Sequence, residues 1–314
     1  KRGMSHSHGA PDRAAPAAGP SPGKAANPHL TGILLFLAAV VLINASDIAA
    51  KLSFGSISVY QVALIQALGF LATGFVAARS LNARRILKTS NWRLQILRSS
   101  CVFVSALFYY KGLEALALAD IIAIILLGPL AVTALAAVIL KEQVGPRRWA
   151  ACFVGFAGSM LIIRPWLGTE GIGLSALWPV GCISLYAIHI IITRHLTKTD
   201  STSTIILWSP LVGVTLLTAA SPLYWVWPDA TTWLGLIAVA VFSGASNGLR
   251  IRSLLHAPAS VLAPFGYSEI VGGTIAGLLI FGTFPDGWSW AGIAVIICSG
   301  LYVWHRERVR GGQV

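Results

Sequence analysis

The 314-residue chain is 56% hydrophobic and only 11% charged, less than half the roughly 25% charge of soluble domains. Its Lys and Arg outnumber Asp and Glu by 23 to 11. In a soluble chain that excess would suggest nucleic acid; here it stands beside long apolar runs, where it sets topology and meets anionic lipid, so membrane lipid is a partner and nucleic acid is not.

Residues 1–28 are rich in Pro, Ala, Gly and Ser and read as a mobile cytoplasmic tail. Lys1–Gly3 precede Met4, which reads as a natural start, and His6 and His8 are too few for a metal site. The first apolar run is too long for a cleavable signal. Ten apolar spans follow. In the first half they are Leu30–Ala50, Tyr60–Ala78, Leu97–Leu113, Ile121–Leu140 and Trp149–Ile163. In the second they are Leu174–Thr193, Ile205–Thr218, Trp233–Leu249, Ser260–Phe281 and Trp288–Trp304. Most approach the roughly 17–25 residues that a helix needs to cross hydrocarbon. Lipid leaves no other way to pair the backbone, so the spans should be helices. Residues 305–314 form a short basic tail.

Charge orients the spans. Taking the gaps alternately, one face collects 20 of the 23 Lys and Arg residues, among them Arg79, Arg84, Arg85, Arg98, Arg194 and Arg250. The other receives Lys51, Lys111 and Arg164. Positive charge stays inside, so both termini should be cytoplasmic.

The two halves superimpose at one constant shift of 141 residues. Gly32 then meets Gly173, Trp92 meets Trp233, Ser105 meets Ser246 and Thr133 meets Thr274. A five-span unit is odd, so its second copy must enter from the opposite face. Inverted repeats build secondary transporters, with the site between repeats near mid-membrane. The division falls at 29–163 and 164–304. The expected fold class is therefore all-α polytopic, with ten transmembrane helices in two inverted five-helix repeats.

Residues 119–163, from Ala119 through Glu142 and the turn Gly145–Arg148 to Ile163, resemble the end of an EamA repeat of the drug/metabolite transporter superfamily. Tyr109–Asp120 is similar to that family's third-to-fourth helix junction. Arg252–Pro264 and Trp288–Val303 match more loosely in the second half, where Thr283 replaces the Glu. The resemblance implies a bacterial inner-membrane carrier, monomer or homodimer. It implies small-molecule solutes, with aromatic amino-acid export leading and uptake of another metabolite, such as S-adenosylmethionine, as the alternative. A non-transport membrane scaffold is the remaining reading.

Polar and aromatic residues inside spans are the site candidates. Asn44, Asp47 and Lys51 share one face of span one. Asp47 and Lys51, four apart, can pair, either as a structural bridge or as an outer gate. Ser243, Ser246, Asn247 and Arg250 form a stripe on span eight that lines a cavity or bonds a neighbouring helix. Trp178, Tyr186, Tyr267 and Tyr109 offer rings to a substrate or belt the interface. His189 titrates or packs. Glu269 binds a substrate ammonium or a proton, or pairs with a buried donor. Pro129 and Pro264 should kink their spans. Gly155, Gly158, Gly272, Gly273 and Gly277 permit close helix approach. Cys101, Cys152, Cys182 and Cys298 lie within spans without metal spacing and read as small packing residues. No HExxH, GxGxxG, Walker sequence or nucleophile elbow occurs, so no enzyme, cofactor or ATP-driven pump is indicated. Cysteines placed singly at Arg85 and at Asp229 should label from opposite sides of the membrane; labelling from one side contradicts this topology.

Overall fold

A computed structural model describes residues 28–77, 88–139, 141, 145–164 and 173–311. The tail expected at 1–28 (Pro28 apart), the basic residues Arg79, Arg84 and Arg85, and Glu142 lie outside the described residues. Eleven long or medium helices make up the bundle: α1 Pro28–Ser53, α2 Val59–Ala77, α3 Trp92–Ala115, α4 Leu118–Ile125, α5 Gly128–Ile139, α6 Pro146–Ile163, α7 Leu177–Leu196, α8 Thr202–Ala220, α9 Ala230–His256, α10 Ser268–Phe281 and α11 Gly287–Gly311. With α4 and α5 taken as one broken span, the chain has about ten. It is an all-α polytopic membrane protein. Among the described residues, eight helical stretches are long and apolar enough to cross a bilayer, and Trp149–Ile163 is a shorter apolar one. The helix α3 is long enough but carries Arg93, Arg98, Lys111 and Glu114.

The breaks fall where proline predicts them. Between α4 and α5 the helix loosens at Leu126–Leu127, and Pro129 is the second residue of α5. The ninth span starts with one short turn, Ala259–Leu262, and a 3-10 segment, Ala263–Tyr267, that contains Pro264; only then does α10 begin. Residues 126–127 and 267–268 are equivalent under the 141-residue shift. Paired interruptions of this kind mark the neighbourhood of a transporter's site.

The helices pair symmetrically. The helix α1 packs on α9 as α3 packs on α7, α9 packs on α2 as α3 packs on α8, and α5 packs on α7 as α10 packs on α1. Two further contacts, α2 with α8 and α6 with α11, join equivalent helices of the two halves. The matched serines of the sequence repeat hold equivalent crossings. Ser105 donates to the Cys182 carbonyl at 2.9 Å, across α3 and α7, and Ser246 donates to the Ala39 carbonyl at 2.7 Å, across α9 and α1. These contacts are those an inverted pair produces.

Lipid supplies no hydrophobic force between helices, so close packing and hydrogen bonds must join them. Where α2 crosses α9, a Cβ on Gly69 would lie 2.3 Å from the Ala240 carbonyl oxygen. Thr73 locks this crossing by donating to the Gly244 carbonyl at 2.8 Å. The core is made of Tyr110, Leu113, Leu118, Ile121, Ile122, Leu236 and Ile270. Leu34, Val41, Phe75, Phe153 and Leu279 turn outward, as lipid-facing residues must.

Polar ties close both ends of the bundle. At one end Gln61 bonds both backbone groups of Val226 across α2 and the loop before α9. There Arg164, the left-handed cap of α6, also pairs with Asp286 at 2.6 Å. At the other end Arg98, 1% exposed, donates to Gln95 at 3.1 Å and to the Ile205 carbonyl at 2.7 Å. Beside it Asp200 accepts from Thr89, from the backbone and hydroxyl of Ser90, and from Gln95. Burial raises the Asp200 pKa, but these donors together outweigh it and hold the carboxyl well below the ordinary carboxylate range. A depressed carboxylate stabilises above its unfolded pKa of about 3.9 and loses that contribution as pH falls through its folded value. Asp200→Ala should therefore cost about 1 kcal/mol at pH 7, screening included. The deficit should hold constant from pH 8 to 5 and shrink below about pH 4. Thermal unfolding of the two proteins in detergent over that range checks it.

Candidate functional site

The helix α1 carries the centre. Asn44 is 5% exposed and Asp47 is 1% exposed, one helical turn apart. The Asn44 amide donates to the Val40 carbonyl at 3.0 Å, and the Tyr109 hydroxyl of α3 donates to Asp47 Oδ2 at 2.8 Å. Asn44 Oδ1 and Asp47 Oδ1 have no hydrogen-bond partner, and neither does the hydroxyl of Tyr110, which is fully buried. Leaving such a group unmade costs roughly 1–3 kcal/mol, more for a charge. From α10, Glu269 takes a 3.1 Å ion pair with Arg250 of α9, whose guanidinium sits 5.7 Å from the centre of the Phe36 ring. Asp47 lies within electrostatic reach of both Glu269 and Arg250. Tyr186 of α7, 43% exposed, stacks on His189 at 5.8 Å and also lies within reach of Arg250.

The structure thus gathers Asn44, Asp47, Tyr109, Glu269 and Tyr186 around the meeting of α1, α3, α7, α9 and α10. Other expected residues go elsewhere. Lys51 does not pair with Asp47. Its ammonium donates at 2.6 Å to the carbonyls of both Leu113 and Leu116 and lies over Phe281. The reason is that the last carbonyls of α3 lack helical partners and carry the negative end of its dipole, a better seat for a cation than a carboxylate one turn back. Tyr267 stands with its hydroxyl against Gly300 of α11, where a Cβ would collide with it. It packs the 3-10 segment before α10 against α11. Trp178 is half-buried, packs edge-on against Phe108 at 5.4 Å and sits over Gly112 towards the Lys51 end. Ser246 bonds the next helix, Ser243 is fully buried with its hydroxyl unpartnered, and Asn247 stays partly exposed. His189 faces the Arg98 carbonyl at 3.1 Å through Nδ1. Cys182 touches Ser105, and Cys298 is exposed rather than packed.

Two contributors, Phe36 and Tyr110, are not among the candidates read from the sequence; Arg250 is, without its Glu269 partner. Arg250 was visible as the last member of the span-eight stripe, and its position four residues from Ser246 was the usable signal. Phe36 is one aromatic among apolar neighbours and gave none.

An apolar groove of about 340 Å³ lies apart from these residues, lined by Leu127, Leu130, Trp149, Phe153 and Phe156. Phe153 and Phe156 are largely exposed on its outer rim, so it faces lipid rather than the polar centre.

Residues 30–164 match the EamA-like transporter family. A riboflavin transporter of Rhizobium johnstonii is 33% identical over 207 residues, covering 64% of this chain and 67% of that protein. The chain belongs to the EamA-like transporter family. A riboflavin transporter of Vibrio cholerae is 29% identical, covering 87% of this chain and 92% of its own length. An S-adenosylmethionine uptake transporter of Rickettsia felis is 26% identical, over 89% and 94%. A solved crystal structure superimposes with a TM-score of 0.58 at 17% identity, covering 86% of this chain and 95% of that one, which shows a shared fold. The chain is thus a bacterial inner-membrane secondary transporter of small metabolites.

Proposed function

We propose that this transporter takes up riboflavin or a closely similar heteroaromatic metabolite, by alternating access between two inverted halves with both termini in the cytoplasm. The observation that carries the reading is the pair of riboflavin transporters above, one of them matched over 92% of its length. The chemistry of the centre agrees with it. Tyr109, Tyr186 and Phe36 supply ring surfaces, and the Arg250–Glu269 pair and the open oxygens of Asn44 and Asp47 supply polar recognition. Aromatic amino-acid export, the leading expectation from the sequence, has no counterpart among these relatives. The alternative, uptake of another metabolite, suits them better. S-Adenosylmethionine is the second reading, favoured by one observation: a sulfonium cation suits a buried Asp47 oxygen that has no donor.

Purified protein in proteoliposomes should catalyse saturable counterflow of labelled riboflavin. Glu269→Gln should lower the initial rate by roughly tenfold or more, because it weakens a charge-assisted pair. Robust movement of amino acids with none of riboflavin or S-adenosylmethionine contradicts the assignment. An unchanged rate in Glu269→Gln removes that residue from the site.

A further inference from the structure

The two substrates named among the relatives differ in ring and charge, yet each carries a pentose-derived group with neighbouring hydroxyls: an open ribityl chain in riboflavin, a ribose ring with a 2′,3′-pair in S-adenosylmethionine. The centre of this protein offers a matching set of unused groups. Asn44 Oδ1 and Asp47 Oδ1 are acceptors without donors, three residues apart on one face of α1, in side chains more than nine-tenths buried. Tyr110 adds a buried hydroxyl without a partner, within electrostatic reach of Asp47. Residues three apart on a helix lie about 5–6 Å from each other, a spacing that alternate hydroxyls of an extended polyol can bridge. Both neighbouring helix faces are already committed. Asp47 Oδ2 is taken by Tyr109, the Asn44 amide by Val40, and Lys51 by the end of α3. No hydrogen bond from the described residues reaches these oxygens. The approach of α10 closes over them, because a Cβ on Gly272 would lie 2.7 Å from the Asn44 amide nitrogen. A solute reaches the Asn44 oxygen only if α10, which begins at the helix break, moves off it.

We infer that Asn44 and Asp47 form a hydroxyl-reading site for the pentose-derived polyol of the substrate. This rests on the proposed metabolite uptake and names the part of the solute that the protein selects. Aromatic stacking accepts many rings, whereas a site built to bond hydroxyls rejects a solute that lacks them. On this account Asn44 and Asp47 set specificity, and the rings around them set only affinity.

The test compares riboflavin with lumiflavin, in which a methyl group replaces the ribityl chain, by quenching of flavin fluorescence on the purified full-length protein. The native protein should bind riboflavin at least roughly tenfold more tightly than lumiflavin, the value of one or two such bonds. Asn44→Leu should bring the ratio towards one by weakening riboflavin alone. Asp47→Asn, which keeps the volume and one acceptor, should lower the ratio less. A lost lumiflavin affinity in Asn44→Leu together with lost riboflavin would mark general damage and overturn the assignment, as would equal binding of both flavins by the native protein. If riboflavin does not bind but S-adenosylmethionine does, the riboflavin reading fails. The hydroxyl site then stands or falls on the same comparison between S-adenosylmethionine and its 2′,3′-dideoxyribose analogue. Binding of neither solute overturns both.

Discussion

Hydrocarbon gives an unpaired polar group nothing to bond, and the architecture follows from that constraint. Many polar side chains inside the bundle are spent on holding helices together. Thr73, Ser105 and Ser246 are spent: each bonds a carbonyl across a helix crossing. Lys51 is spent on the open end of α3. Arg98, almost wholly buried, is spent on Gln95 and the start of α8. Among the described residues, the buried groups left without a partner include Asn44 and Asp47 on α1, Tyr110 on α3, Ser243 on α9 and Thr274 on α10.

The arrangement also divides labour among helices. The helices α6 and α11 pack on one another through close glycine contacts, Gly158 against Gly292, and keep away from the polar centre. Those two fit a static frame. The helices that meet at Asp47 and Arg250 come from both halves and are joined mostly by small-residue crossings and single hydrogen bonds, which a rocking motion can exchange at low cost. The end ties differ in kind. Asp286 accepts from the backbone of Ser289 and pairs with Arg164, while Asp200 gathers donors from the start of α3. The first tie holds the two frame helices to each other, whereas the second joins the start of α3 to the loop between α7 and α8.

Much of the fold was legible in the sequence because hydropathy and charge act over whole helices. The span order stands, and the breaks stand at Pro129 and Pro264, since proline acts on its own backbone. The helix α3 runs well past its apolar stretch: Arg98 inside it is held by Gln95 and the Ile205 carbonyl, while Lys111 and Glu114 pair with each other at its exposed end. The 141-residue shift proved informative where it paired Ser105 with Ser246. The site was legible by residue type and less by partner. Asp47 and Lys51 share a face, yet spacing alone does not weigh a carboxylate against the free carbonyls of another helix. Tyr267 was marked by its ring, but which way a ring turns depends on Gly300, 33 residues on. Glu269 was marked by the cost of burying it; its partner Arg250 lies in another helix, beyond the reach of local pattern.

The central claim is that two halves alternate around the α1–α9 centre. Its most direct measurement is the distance between spin labels placed across the halves at each end: Arg93→Cys with Arg252→Cys at one, Glu114→Cys with Thr231→Cys at the other, all exposed positions. The account predicts that riboflavin shifts the two distance distributions in opposite senses, one pair closing as the other opens. Two distributions that widen together, or that stay fixed while riboflavin is transported, would contradict it.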